Sequence, residues 1–310
     1  MARSIFWAKL KHLWPESKEK QAEEREEKAL DLTMFNLPEI AVNQASDELN
    51  CRIEDMTFQK AEVLPEAIYA DVKSEDLALR VRSIYRYYQT GNTVVKALDG
   101  VSFDVKVGEF CAIVGTSGSG KSTLLNQLAG LEPATAGYVK VFGENISDMT
   151  ENELVKFRLH NIGFIFQSFN LIKTFSAVEN VSLPLVFKGI SVKKRRQAAK
   201  VVLTQLGLKS HLKHLPNQMS GGQQQRIGIA RALIVNPRII YADEPTGNLD
   251  SKSAKETMLL MQKISKAKKQ TVIMVTHDDH LAQYADRIFH IRDGKLIAVA
   301  KGKEAYQAAE

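Results

Sequence analysis

The sequence predicts an α/β protein whose parallel sheet is built around a phosphate-binding loop. Three observations carry that expectation. Residues 110–128, FCAIVGTSGSGKSTLLNQL, join an apolar strand-like run to a Gly/Ser loop and then to a leucine-patterned helix. Residues 238–243 (RIIYAD) and 271–276 (TVIMVT) are continuous apolar runs, the pattern of parallel strands covered by helices on both faces. Helix-patterned stretches alternate with these runs, as such a sheet requires.

The 310 residues, 44% of them hydrophobic, suffice for a full core and suggest one large domain plus an extra segment. No stretch reaches the roughly 18 uncharged apolar residues of a membrane-spanning helix. The first residues lack an apolar core followed by a small-residue cleavage site, so a cytoplasmic placement is expected. The two cysteines, Cys51 and Cys111, fall in no metal or disulfide spacing, and Cys111 reads as a buried strand residue. The formal charge of +6 hides an asymmetry: residues 1–79 carry 10 basic and 17 acidic side chains, residues 80–310 carry 32 and 19. A basic second part suits polyphosphate, an anionic membrane surface or nucleic acid, and charge alone does not choose among them.

Taken in order, residues 3–14 read as an amphipathic helix. At 100° per residue Phe6, Trp7, Leu10, Leu13 and Trp14 share one arc, while Lys9, Lys11 and His12 lie outside it and Ile5 does not fit. This layout suits a helix on the inner membrane face or on a partner there. Residues 15–78 read as a charged linker with short helices, so 1–78 form a mostly helical or irregular N-terminal extension. From Leu79 the texture turns to hairpin-forming strands that lead into the loop. GYVKVFG and IGFIFQ are further strands, and about 170–235 is helical, including the basic KKRRQAAK. Pro216 and Met219-Ser220-Gly221-Gly222 open a helix that Asn236-Pro237 stops, and RIFHIRDGKLIAVA is a closing hairpin. There are no internal repeats.

The loop fits G-x-x-x-x-G-K-[ST] with Gly115, Gly120, Lys121 and Ser122, and Thr116, Ser117, Gly118, Ser119 and Thr123 complete its run. This spacing lets backbone N–H groups and a helix N-terminus face phosphate oxygens. Lys121 then reaches the β- and γ-phosphates, and the Ser122 hydroxyl holds Mg²⁺ beside them. Asp243 and Glu244 end a buried strand, where open α/β sheets bind ligands. Asp243 suits Mg²⁺ through its water shell, and Glu244 suits a proton acceptor for the water that attacks the γ-phosphate. Ser220 caps a helix whose start is kept bare by Gly221 and Gly222, with Gln223 following, which makes a second anion site. The economical use of a second site is closure over a nucleotide bound by another subunit.

Ser-Gly-Gly-Gln-Gln followed by a helix and Asp-Glu-Pro-Thr resembles the signature and Walker B segments of ABC ATPases. The resemblance covers about 79–300 and implies an ABC nucleotide-binding domain over 79–310: a RecA-like core, an antiparallel β subdomain and a helical subdomain. It implies that Gln167 is the glutamine touching Mg²⁺ and the attacking water, and that Asn248-Leu249-Asp250 is the segment at a dimer interface. It further implies that His277 is the histidine contacting the γ-phosphate. Tyr88, three residues before Gly91, is the candidate to stack on adenine, with Tyr85 and Tyr87 as neighbours. Finer texture, such as FQSFNLIKTFSAVENVSLPL and ADEPTGNLDS, is similar to the lipoprotein-releasing, macrolide-exporting and cell-division subgroup. Met219 stands where the family usually has leucine, and short members of that subgroup lack the 78-residue extension.

The resemblance implies an ATP- and Mg²⁺-dependent ATPase subunit that homodimerises around two ATP molecules. It would drive a separate transmembrane permease from the inner face of the cell membrane, where peripheral contact is expected. An ABC-type ATPase acting on nucleic acid or ribosomes is the alternative class. The resemblance argues against that class, and no nucleic acid is expected. DNA-repair relatives insert long coiled coils or zinc modules between loop and signature, whereas Lys121 and Ser220 are only 99 positions apart, with neither heptads nor cysteines between them. Translation-factor relatives carry two nucleotide domains where this chain has one. A nucleotide-binding scaffold without turnover is a third class, and it is disfavoured by the presence of both Glu244 and His277.

Overall fold

The computed structural model describes residues 76–90 and 93–302. The amphipathic helix expected over 3–14 and the linker expected after it, up to residue 75, lie outside the described residues. β1 (Leu77–Thr90) and β2 (Thr93–Lys106) form a long antiparallel hairpin. Leu77 and Ala78 are already buried in β1, two residues before the boundary read from sequence. β3 (Phe110–Val114) leads through the loop into α1 (Lys121–Leu128). β4 (Ala136–Val141) and the short β5 (Glu144–Asn145) follow, then α2 (Glu151–Asn161) and β6 (Ile162–Phe166).

The expected helical region resolves into α3 (Ala177–Phe187), α4 (Val192–Gln205) and α5 (Gly221–Leu233). Beyond it come β7 (Ile239–Asp243), α6 (Ser251–Lys268) and β8 (Thr271–Thr276). The one-turn α7 (Asp279–Ala282) and the hairpin of β9 (Arg287–Arg292) with β10 (Lys295–Lys301) end the described chain. α2 was not expected from the sequence. Its start is nonetheless written there, as a capping box in which Thr150 and Glu153 satisfy each other's backbone N–H groups.

Two sheets result. One is antiparallel in the order β2-β1-β4-β5; the other runs β10-β9-β3-β8-β7-β6, with β6, β7, β8, β3 and β9 parallel. Every residue of β3 and of β8 is buried, and their side chains alternate between two cores. Phe110, Ala112, Val114, Val272 and Met274 join the core under α3–α6, whereas Cys111, Ile113, Ile273 and Val275 join the core between the two sheets. This is why the strands read as uninterrupted apolar runs. α1 is itself inside the second core through Leu124, Leu125 and Leu128. The helix that follows the loop is therefore clamped between two sheets. Tyr241 Oη donates to the Leu128 carbonyl at 2.7 Å and ties the end of α1 to β7.

One charge is buried in the seam between the sheets. Asp104 in β2 is 0% exposed and receives both arms of the Arg82 guanidinium at 2.7 and 2.8 Å. Arg287 of β9 donates to the Asp104 carbonyl at 2.7 Å and also grips Glu109 with two arms. The fork geometry satisfies the carboxylate, so truncating it takes both of these side-chain hydrogen bonds from the part-buried Arg82 guanidinium. Asp104→Ala should destabilise the protein by about 3 kcal/mol. Urea unfolding monitored by circular dichroism measures this, and a loss below about 0.5 kcal/mol would show that the pair holds nothing together.

Candidate functional site

The loop of residues 115–120 is shaped by backbone contacts that side chains would forbid. A Cβ on Gly115 would lie 2.1 Å from the Ile291 carbonyl oxygen, and one on Gly120, at φ +99°, would lie 2.3 Å from the Ala97 carbonyl oxygen. Gly118, at φ +80°, has nothing within 4 Å of that position, so the middle of the loop faces open space. The Gly294 N–H donates to the Ser119 carbonyl at 3.1 Å, and the Leu124 N–H donates to the Gly120 carbonyl at 2.8 Å. The loop is thus pinned to β2, β9 and the last hairpin. Lys121 is only 6% exposed, and its ammonium donates to the Thr116 carbonyl at 2.8 Å. The Ser119 hydroxyl is buried without a hydrogen-bond partner.

A cleft of about 560 Å³ opens over this loop, within the range of small-molecule sites. Ser117, Gly118, Gly120, Lys121, Ser122 and Thr123 form its floor; Val95, Lys96 and Ala97 of β2 form one wall, and Glu244 and His277 another. Gly115, Thr116 and Ser119 of the loop are not among the cleft's lining residues.

The acid pair stands where β7 ends. The Ser122 hydroxyl donates to Asp243 Oδ1 at 3.4 Å, which brings two oxygen ligands of the kind hard cations prefer to one point. Burial, reinforced by the neighbouring Glu244 charge, pushes the Asp243 carboxyl above the ordinary aspartate value, while the Ser122 hydrogen bond and Lys121 oppose the rise. Glu244 turns out of the strand at φ +42°, a left-handed conformation costly for a side-chain-bearing residue. Its N–H donates to the Val275 carbonyl at 2.9 Å and its carbonyl accepts from Gly247 at 3.1 Å, which holds that turn. His277, at the end of β8, is 2.8 Å from Glu244 Oε2 through Nδ1. An ionised carboxylate can only accept, so Nδ1 carries a proton in this contact.

The remaining sequence candidates fall into three places. Gln167 is exposed at the end of β6, with its side chain against Gly247, where a Cβ would meet its amide nitrogen at 2.7 Å. Asn248 donates to the Gln167 carbonyl at 2.9 Å, so Gln167 packs on the turn after the acid pair but does not line the cleft. Ser220, Gly221, Gly222 and Gln223 begin α5 away from the cleft. There the Ser220 N–H donates to Gln223 Oε1 at 3.0 Å, and Ser220 Oγ accepts from the Gln223 N–H at 3.3 Å. Asp250 of the expected interface segment caps α6, accepting from the Ser253 N–H at 3.0 Å. Tyr88 pairs with Val95 across the β1–β2 hairpin, which places it beside the cleft wall but not among the lining residues.

Sequence reasoning missed the β2 wall and Arg231. Arg231 lies in the last turn of α5 and donates to the Phe169 and Asn170 carbonyls at 2.7 and 2.5 Å. Both of those residues are left-handed, at φ +58° and +48°. The helix that Ser220 opens is therefore strapped to the segment that follows Gln167. Only the position of Arg231 near a helix C-terminus hinted at a carbonyl-binding role.

A family model described as "ABC transporter" matches residues 98–247. The chain is 46% identical over 221 residues to an uncharacterized ABC transporter ATP-binding protein of Methanocaldococcus jannaschii, covering 71% of this chain and 98% of that one. It is 45% identical over 227 residues to the macrolide export ATP-binding/permease protein MacB of Hyphomonas neptunium. That match covers 73% of this chain, which spans only 35% of the relative's length. Among solved structures, the dimeric ATP-binding cassette MJ0796 in a post-hydrolysis state bound to ADP and Pi matches with TM-score 0.68 and 42% identity. That match covers 73% of this chain and 99% of that one.

The raised Asp243 carboxyl has a measurable consequence. Because its folded value exceeds the unfolded one, its ionised form costs stability above the folded value, and the cost disappears below the ordinary aspartate range. Without nucleotide or Mg²⁺, Asp243→Asn should raise Tm by roughly 2 °C at pH 8, with the gain shrinking as pH falls towards 4. Paired thermal melts across that range check this, and a gain that grew on acidification would reverse the assignment.

Proposed function

Because the chain belongs to the ABC transporter family of ATP-binding cassettes, we propose that it is an ATP-hydrolysing subunit that works as a homodimer on a separate transmembrane permease. The observation that carries this reading is the convergence of Lys121 and Ser122, Asp243, and the Glu244–His277 pair on one cleft. The open, Cβ-free middle of the loop would receive phosphate oxygens on its N–H groups. Lys121 would exchange the Thr116 carbonyl for those oxygens, since its ammonium already sits over the loop.

The Ser122–Asp243 oxygen pair fits a hard divalent cation, and Gln167 is a further candidate ligand that would have to move into the cleft. Bound there, Mg²⁺ would neutralise charge on the phosphate oxygens. Glu244 would take the proton of the attacking water. Its Oε2 is engaged by His277, and so Oε1 is the oxygen left for that water. His277 would fix the carboxylate's orientation from Nδ1 and, with Nε2 also protonated, donate from Nε2 to a γ-phosphate oxygen.

The Ser220–Gln223 group lies outside this cleft, which supports a composite site in which one subunit's α5 covers the nucleotide of the other. Its two glycines leave the first turn of α5 without side chains, the surface a γ-phosphate could approach. Closure on ATP and opening after hydrolysis would move α3–α5, and the Arg231 strap ties that region to the Gln167 segment. Peripheral attachment to the inner face of the cell membrane follows from the proposed permease, since among the described residues no helix is long and apolar enough to cross a membrane.

Glu244→Gln should keep ATP binding, slow turnover at least about 100-fold and accumulate an ATP-bound dimer, because only the proton acceptor changes. Steady-state phosphate release with size-exclusion chromatography in ATP measures it; hydrolysis at the parent rate would refute the general-base role. Lys121→Ala and Ser220→Arg should each be inactive alone. Mixed together they should recover part of the activity, since one heterodimer site then has an intact loop and an intact α5 start. A dead mixture containing demonstrated heterodimers would count against shared sites.

A further inference from the structure

We propose that Arg86 and Glu132 form a clamp that presents one face of Tyr88 as the platform on which the nucleobase stacks; this rests on the ATP reading of the cleft. Tyr88 Oη donates to Glu132 Oε1 at 2.7 Å, and the same oxygen accepts from the Arg86 guanidinium, from Nη2 at 2.7 Å and Nε at 3.1 Å. The Arg86 guanidinium carbon lies 4.6 Å from the centroid of the Tyr88 ring. One carboxylate oxygen thus tethers the hydroxyl and steers the cation that covers one ring face. Among the described residues no other ring or cation stacks on Tyr88, and the proposal assigns its second face to the base.

The two neighbouring tyrosines are committed elsewhere. Tyr87 donates to Asp99 at 2.9 Å and carries the Lys96 ammonium 5.4 Å from its ring centroid. Tyr85 lies edge-on to Tyr87 at 6.0 Å, with its hydroxyl against Gly100. Tyr88 instead pairs across the hairpin with Val95, which is half exposed and lines the cleft, so an apolar edge continues from the phosphate floor towards the ring.

Glu132 is itself fixed relative to the phosphate loop. It lies in the turn after α1, whose first residue is Lys121, and that turn is held to β1 by the Thr135 N–H on the Tyr85 carbonyl and the Tyr87 N–H on the Thr135 hydroxyl. Gln127 of α1 also donates to the Pro133 carbonyl at 3.1 Å. One rigid helix therefore sets both the phosphate end and the base end of the ligand. A ring already held in place loses no rotamer freedom on binding, which is where the affinity gain arises. Arg86 and Glu132 act through Tyr88 and are positioning residues.

The test separates base from phosphate. ATP and tripolyphosphate affinities are measured by calorimetry on the full chain with Mg²⁺, for the parent, Tyr88→Phe, Glu132→Ala, Arg86→Ala and Arg86→Lys. Stacking is read independently from the quenching of a fluorescent aminopurine triphosphate. Tyr88→Phe keeps the ring and loses only the tether, so the proposal expects it, like Glu132→Ala and Arg86→Ala, to weaken ATP about 3- to 10-fold. Tripolyphosphate affinity should stay within error, quenching should fall, and Arg86→Lys should restore part of both. ATP affinity unchanged in Tyr88→Phe and Glu132→Ala would overturn the clamp, as would parallel loss of ATP and tripolyphosphate, which marks damage to the whole cleft. A parent chain that bound ATP without turning it over would sink the hydrolysis reading while leaving the clamp result intact.

Discussion

The near-contact of the phosphate loop's backbone with two neighbouring carbonyls, Ile291 on β9 and Ala97 on β2, is the constraint from which the rest of the site follows. It forces glycine at 115 and 120, and it fixes the exit of β3 relative to both sheets at once. α1 then has one place to go, the core between the sheets, where Leu124, Leu125 and Leu128 bury it. A loop held this way needs little reorganisation to meet a phosphate chain. That rigidity is what electrostatic recognition of phosphate demands.

The wall formed by Glu244 and His277 follows from the sheet. Because β3, β8 and β7 are parallel neighbours, their C-terminal ends bring the loop, His277 and the acid pair to the same edge. Asp243 and Glu244 are adjacent in sequence yet do different things. Asp243 keeps strand geometry and reaches the Ser122 hydroxyl, while the left-handed turn at Glu244 redirects its carboxylate towards His277. The strain of that turn is held by the Val275 and Gly247 backbone bonds. Burial makes Asp243 an uncomfortable anion, a cost that a bound cation would relieve.

Much of this was legible because the signals are local. The loop spacing, the doubly buried strands and the Ser220 cap each require particular residues at fixed offsets, and the structure shows the corresponding elements. α2 was missed because Phe157 is its one buried residue, which leaves no apolar stripe to see; only the Thr150 and Glu153 cap announced it. The β2 wall was illegible for a different reason. Nothing in Val95, Lys96 and Ala97 says that they lie over a loop some twenty positions later, since that proximity is set by packing between sheets. Asp104 is a stronger case: a carboxylate reads as surface, and the arrival of Arg82, with Arg80 beside it, in three dimensions allows its full burial.

The start of α5 shows how one helix end can be both satisfied internally and available externally. The capping box occupies the N–H groups of Ser220 and Gln223, the two that side chains of the same turn can reach. The N–H groups of Gly221 and Gly222 have no intrahelical acceptor, because they precede the first bond of the helix. Ser253 and Leu249 approach these glycines from the flank, while Ser220 itself remains exposed. Such an end is finished as a structural element and incomplete as an anion site. It does not line the chain's own cleft, so what would complete it in the proposed dimer is the phosphate chain seated on another copy's loop. At its other end the same helix places Arg231 on the segment after Gln167. Under that reading, a helix pulled towards a partner's phosphate would draw on the segment that follows Gln167, the candidate ligand that would have to move into the cleft.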